Sequence, residues 1–421
     1  MRRPRLATAM LRDAALVAAI AVLCVQVLRR WIGDRYLVPT GSMEPVFHGH
    51  PEHGDIVFVS KCASAGSQRR RDLVVVQHPS EPGQQMVKRI AARGDDRDAC
   101  WIDIRQGDVW LGPDEQRMQR EQKDPLQARG QRVLWSQGTA PGNDDERLDT
   151  HSLVATAGGF SLPAMSSLVD ARTLFTSASR AARRRSGQDR LLPAGFFGTR
   201  KPVDATFMDA AGGRIEAGRD AAVTDVSMEL DLAAVGGDVL ATIETRGEAL
   251  TFHWQPSTGR VVLWRDGVEV AATTLPNGER AQQLEFGLLD DRAFFCLDGE
   301  REQLFVVPRR PEWVDRGGGL PVGARTLAYV GVVATADAAT LIVTGWRVLH
   351  DVFAWRESII GLPGQAGTWP RFVRPDEWFL LGDSAFDSRD SRHFGAVAAT
   401  TFLGVPCCVL GPWPRSRWVR P

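Results

Sequence analysis

Met86-Val87-Lys88-Arg89-Ile90-Ala91 is a short apolar run broken by two adjacent cations. Its length and its flanking polar residues read as a β-strand that carries a lysine. The lysine is the unusual member, because the 421-residue chain holds only four lysines against 47 arginines. Wherever a plain positive charge suffices, this chain uses arginine. A lysine kept beside an arginine points to a role that needs a neutral amine, since guanidinium cannot be deprotonated in a protein and a desolvated ammonium can.

A partner for that amine lies 46 residues upstream in Val38-Pro39-Thr40-Gly41-Ser42-Met43-Glu44-Pro45. Two prolines bracket Ser42 and a glycine precedes it, so the backbone is turned and stiff, with a small neighbour to admit substrate. A serine hydroxyl is a weak nucleophile until a base takes its proton. Lysine serves as that base only if its pKa falls from about 10.4 towards neutrality, a change that costs roughly 4 kcal/mol of solvation. Met86, Val87 and Ile90 offer the apolar surroundings this requires. The third element is Gly382-Asp383-Ser384-Ala385-Phe386-Asp387-Ser388-Arg389-Asp390-Ser391-Arg392-His393-Phe394-Gly395. Its polar pairs suggest a self-bonded scaffold with one hydroxyl left to orient the base.

Around these segments the chain reads as mainly β. Asp55–Val59 and Leu73–Gln77 are β-branched runs bounded by Gly, Pro and charge, and 101–105 with 108–111 flank a Gln-Gly turn. From 121 to 222 the pattern weakens to Gly, Ser, Ala, Gln and Arg, which predicts connection and irregular structure. From Val223 onward it is clearly β: Val226, Met228, Leu230 and Leu232 alternate with polar residues, and Asp266-Gly267 and Asp298-Gly299 mark hairpins. About ten short strands in this stretch imply an antiparallel sandwich. By strand rhythm it resembles the concanavalin-like and laminin-G-like jelly rolls.

The first 35 residues predict a membrane anchor. Ala14 to Leu28 is apolar except for Gln26 and is flanked by Arg on both sides. The run spans about 22 Å as helix, short of a bilayer core of about 30 Å, so the flanking arginines must snorkel or the bilayer thin locally. A cleavable leader is the rival reading, but Leu28-Arg29-Arg30-Trp31-Ile32-Gly33 lacks a small-x-small exit. The arginine bias predicts a cytoplasmic N-terminus and an external body. Zero formal net charge gives no argument for nucleic acid. Six cysteines without a CxxC pair predict no metal, and the Ser/Lys scheme needs no cofactor. His48, His50 and His53 read as loop histidines, and His393 as a filler of its loop.

Taken together, the three polar segments resemble those of the bacterial type I signal peptidases, membrane-anchored Ser/Lys endopeptidases that remove signal peptides. The resemblance covers roughly residues 10–120 and 351–415. It implies Ser42 as nucleophile and Lys88 as general base, with the Thr40 hydroxyl and the Ser42 amide forming the oxyanion hole. It implies Ser388 as the hydroxyl that orients Lys88, with Asp383, Asp390 and Arg392 as structural supports. Two departures stand out. Ala92-Arg93-Gly94-Asp95 replaces the family's Gly-Leu-Pro-Gly-Asp, and Ser384 replaces its Asn. A Gly361-Leu362-Pro363-Gly364 occurs later, with Glu357 where the lysine would fall.

The expected organisation is an anchor (1–35), a catalytic domain in two parts (36–135 and 351–421) and an insertion (136–350) containing the sandwich from about 222. The resemblance implies exported preproteins as substrates, cut after small-x-small sites on the periplasmic face of the cytoplasmic membrane, with the lipid bilayer as a second partner and an unknown ligand for the sandwich. The alternative is a surface module binding glycan or protein on a degenerate, inactive scaffold. A self-cleaving Ser/Lys repressor is a third class, against which the anchor argues.

Overall fold

The computed structural model describes residues 15–419, except 140–147, 180–195, 209–213, 216–222, 309–325, 334–339, 352–368 and gaps of at most three residues elsewhere. The chain divides into two compact units, one of Met1–Arg105, Val109–Gln119 and Ala354–Pro421, the other of Gln106–Asp108 and Arg120–Phe353.

The first unit is built on one antiparallel sheet ordered Gly33–Leu37, Ile56–Ser60, Phe402–Gly411, Leu73–Gln77, Gln85–Arg93, Glu377–Leu381 and Val397–Ala398, with Arg417–Trp418 paired to Phe402–Gly411. Strands from the two ends of the numbering thus alternate in space. Two of the apolar clusters that hold it lie on its opposite faces. Val38, Met43, Phe47, Val57, Val59, Leu73, Val75 and Val409 form one, and Val74, Val76, Ile90, Trp378, Leu380 and Val397 form the other. The alternation of strand side chains explains the split, since Val75 and Val74 point to opposite faces. Trp101–Arg105 lies in a separate small sheet, between Arg371–Phe372 and Asp108–Gly112.

The second unit is a pair of large sheets. One is ordered Val154–Thr156, Gly159–Leu162, Leu341–His350, Val226–Val235, Gln283–Leu289, Arg292–Leu297 and Leu304–Pro308, with Val133–Gly138 also on Leu341–His350. The other is ordered Val268–Thr274, Arg260–Arg265, Ala249–Gln255, Asp238–Glu244, Leu327–Val333, Phe196–Thr199 and Leu148–Asp149. They face each other through aromatic contacts, with Phe252 and Trp254 against Phe295 at ring separations of 5.5 and 5.8 Å, and Phe197 against Phe160 and Trp346 at 5.3 and 5.9 Å. Such tilted and edge-on pairs are the favoured aromatic geometries.

Asp266-Gly267, with φ of 50° and 81°, closes a two-residue hairpin between Arg265 and Val268. Asp298-Gly299, with φ of 52° and 67°, instead opens a longer connection that passes through the Arg301–Gln303 3-10 turn before Leu304 pairs with Cys296. The expectation of irregular structure from 121 to 222 needs correction. That stretch supplies sandwich strands at 133–138, 154–156, 159–162 and 196–199, together with the Leu168–Leu174 helix. The helix, followed by Phe175, covers the outer face of the second sheet, with Phe175 packed edge-on to Phe196 and Arg172 over the Trp264 ring. The sheets are also not purely antiparallel, since Ala164–Met165 pairs in parallel with Leu327–Val333.

At the predicted anchor, residues 15–23 are helical and exposed. Among the described residues no helix is long and apolar enough to cross a membrane, and residues 1–14 lie outside them. The Gly361–Gly364 segment also lies outside the described residues.

Candidate active site

Ser42 sits in a single 3-10 turn, Gly41–Met43, entered through an extended Thr40 and closed by the Glu44 amide donating to the Gly41 carbonyl at 2.9 Å. Met43 and Phe47, both fully buried, root this turn in the apolar core. The fully buried Asp55 ties down the segment that follows. Its carboxylate accepts from the His48 amide at 3.1 Å, from Arg415 at 2.8 Å and from Arg417 at 3.3 Å. The turn is therefore fixed from both sides before any chemistry is considered.

Lys88 lies mid-strand opposite Val74, flanked on its own face by Met86 and Ile90. It is 3% exposed, and its Nζ donates to Ser42 Oγ at 2.8 Å. The Thr40 hydroxyl lies 3.4 Å from the same oxygen, on the solvent side. The next residue, Arg89, points to the other face and forms a buried bidentate pair with Asp383 at 2.7 and 2.8 Å. This geometry anchors the Gly382–Ser384 backbone beside the Gln85–Arg93 strand.

The last polar segment folds onto the same place. Ser388, Asp390 and Arg392 are all buried. Ser388 Oγ donates to Asp390 Oδ2 at 2.7 Å, Arg392 binds both carboxylate oxygens at 2.8 and 2.7 Å, and the Gly382 amide donates at 3.0 Å. Burial pushes the Asp390 carboxyl up, but the Arg392 guanidinium and these hydrogen bonds outweigh it and hold the group below the usual carboxylate range. Asp390 also caps the short Ser391–Phe394 helix. Two contacts close this loop on the Gly41–Met43 turn. The Ser384 amide donates to the Ser42 carbonyl at 3.2 Å, and a Cβ on Gly382 would stand 2.0 Å from Ser388 Oγ and 2.5 Å from the Ser42 carbonyl. Only glycine fits at 382. The departure at 384 acts through its main chain.

A cavity of about 340 Å³ opens onto this pair. One wall is Tyr36–Thr40, the other Gln84–Lys88, and Val57, Val59 and Val75 line it as well. His78, Glu81 and Arg389 also line it, and the sequence reading passed over all three. His78 could have been noticed as a titratable residue ten positions before Lys88. Glu81 and Arg389 carry no local signal, being 308 positions apart. Arg371 was missed too. Its guanidinium donates to the Ser391 and Arg392 carbonyls at 3.0 and 3.3 Å and lies 4.5 Å over Trp369.

The loop histidines lie elsewhere. His48 meets Glu44 at 2.9 Å, and His50 stacks on His53. His393 completes the capping box of its helix, and burial lowers its pKa.

Comparison with known proteins agrees with this geometry in part. Residues 11–163 match the family model of signal peptidase, peptidase S26. A 78-residue stretch is 35% identical to signal peptidase I of Aquifex aeolicus (strain VF5), covering 18% of this chain and 29% of the length of that relative. Solved structures similar to this chain include a lichenase derived from a mouse hindgut metagenome (8% identity, 52% of this chain and 98% of that one, TM-score 0.27). Another is the exoplasmic/lumenal domain of VIP36 (12% identity, 52% and 90%, TM-score 0.27). The family match thus covers Ser42 and Lys88 and supports a signal-peptidase-like function.

Proposed function

We propose that the first unit is a Ser/Lys endopeptidase that removes signal peptides from exported preproteins. The observation that carries this reading is the 2.8 Å hydrogen bond from the buried Lys88 amine to Ser42 Oγ.

The preprotein lies extended in the cavity as an added strand between the 36–40 and 84–88 walls, with small side chains turned into it. Ser42 Oγ attacks the carbonyl carbon after the last small residue while neutral Lys88 takes its proton. The Ser42 amide and the Thr40 hydroxyl stabilise the developing oxyanion. Lys88 passes its proton to the leaving amine, and water then resolves the acyl-enzyme. Ser388, held by Asp390, presents its oxygen lone pairs to the Lys88 amine and fixes its direction. Residues 1–35 anchor the chain in the cytoplasmic membrane, with the catalytic unit on the external face.

The test is cleavage of a preprotein in detergent by the full chain and by Ser42→Ala and Lys88→Arg. Both variants should lose processing while keeping the fold. Normal cleavage by Lys88→Arg sinks the reading, since arginine keeps the charge and cannot accept the proton.

A further inference from the structure

The cavity beside Ser42 has two sides of different chemistry. Its valines, Val57, Val59 and Val75, belong to one apolar cluster, and Val87 packs against the same cluster. Lys88 is on the opposite face of the sheet. The register sets Val74 against Lys88 and Val76 against Met86, so strand alternation brings His78 to the face of Lys88 and Met86. The His78 amide closes the next rung, donating to the Gln84 carbonyl at 2.8 Å. Its ring meets Phe394, which packs on the apolar cluster of that second face, in a T-shaped contact at 5.3 Å.

His78 is 7% exposed and lines the cavity. Its Nδ1 accepts the Ser80 amide at 3.2 Å, and a main-chain N–H can only donate, so the ring carries its proton on Nε2. Burial lowers the ring's pKa, Glu81 opposes that, and the Arg389 and Lys88 cations add to it, which keeps the imidazole neutral. Among the described residues Nε2 has no hydrogen-bond partner. A buried donor in that state costs free energy that an acceptor on a bound peptide would recover. Glu81 and Arg389 line the same cavity, but they pair with each other at 2.7 Å and so balance in charge. The acceptor that suits this end of the cavity is therefore a neutral one.

A preprotein bound as an added strand alternates in the same way as the sheet. With the first and third residues before the cut turned to the valines, the second and fourth face the side of His78. Gln84, the residue on the rung of His78, is four residues back from Lys88 along the cavity wall, about 13 Å at the rise of a strand. Of the two, the fourth reaches that far. We propose that His78 is a specificity-determining residue, whose Nε2–H donates to the side chain of the fourth residue before the cut and selects Ser, Thr, Asn or Gln there. The inference rests on the reading of the first unit as a signal-peptide endopeptidase.

The test uses the full chain in detergent and a preprotein with an Ala-x-Ala site that carries either Thr or Val, which share a shape, at the fourth position before the cut. kcat/KM should favour Thr by about 3- to 10-fold, mostly through KM, the worth of one neutral hydrogen bond. The same exchange at the fifth position, which faces the valines, should give no preference for Thr. His78→Phe, which keeps a ring against Phe394, should abolish the preference at the fourth position, and His78→Gln, whose amide can donate from the same reach, should keep one. Each ratio is taken within one enzyme, so a general loss of folding does not imitate the result. Equal cleavage of Thr and Val by the wild type, an equal Thr preference at both positions, or an unchanged ratio in His78→Phe overturns the assignment. Ser42→Ala separates this from the reading beneath it. If that variant is inactive and the wild type shows no Thr preference, the His78 assignment falls and the peptidase reading stands; if the variant still cuts, the peptidase reading falls first.

Discussion

Lys88 in the first unit and Lys123 in the second are both withdrawn from water, yet their partners differ in kind. Lys88 donates to a hydroxyl. Lys123 pairs with Asp351 inside a cluster that also holds Asp108, Asp225 and Asp290, their carboxylate oxygens within 4.8 Å of one another. Burial works against the Lys123 charge, but Asp351 and Asp290 hold its ammonium above the ordinary lysine range. Arg120 contributes a second cation, 2.6 Å from Asp225 and 3.0 Å from Asp108. The lesson is that burial alone does not make a lysine a base. Lys88 meets a hydroxyl and, electrostatically, an Asp390 that Arg392 already pairs, whereas Lys123 sits among four carboxylates.

The strongest way to break this comparison is to exchange both lysines for arginine. Lys88→Arg should reduce kcat for preprotein cleavage by about 10³-fold or more, whereas Lys123→Arg should leave cleavage within about threefold of wild type. Equal losses would erase the distinction. Next in size, Lys123→Met leaves the four aspartates with Arg120 alone and should destabilise the second unit by about 3–5 kcal/mol, read from chemical denaturation. Within the first unit, Thr40→Val should lower kcat by about 10²-fold with little change in KM, because its hydroxyl acts on charge that develops only in the transition state.

The smallest effect sharpens the comparison through pH. Burial, with Asp225 adding and Arg120 opposing, pushes Asp108 up to about 8, and burial pushes Asp290 up to about 6. Both values exceed the unfolded carboxyl value, so the folded second unit binds extra protons between about pH 4 and 8. Its stability should rise as pH falls from about 8.5 to 5.5. Asp390 has the opposite sign: its contribution to the first unit is present above the unfolded carboxyl value and is lost as pH falls below it. Hydrogen exchange at both pH values, corrected for intrinsic rates, should show slower opening of 226–235 and 341–350 at pH 5.5. Faster opening there would contradict the assignment.

Much of this was legible because the informative residues are local in sequence. Ser42 in its Pro-bracketed turn, Lys88 in an apolar run and the Ser388–Arg392 segment each carry their own signal, and Asp266-Gly267 marks its hairpin from two residues. What escaped reading is assembled at long range. Glu81 and Arg389 are ordinary solvated charges until the fold brings them together. Asp108, Asp225, Asp290 and Asp351 each read as a strand end, and only the second unit's folding gathers them. The strands of 133–199 were invisible because they run two to six residues, too short for a period of two to accumulate, and four of them find partners only at 327–350.

The sheet order has a consequence in time. Phe402–Gly411 lies between Ile56–Ser60 and Leu73–Gln77, so two strands translated early cannot be joined until a strand more than 300 residues later has been made. At synthesis rates of about 5–20 residues per second, that is a delay of about 15–70 seconds. During it the sandwich can collapse while the Ser42 and Lys88 segments wait for the rest of their sheet. The Ser42 and Lys88 segments therefore stay on an incomplete sheet until Phe402–Gly411 has been translated.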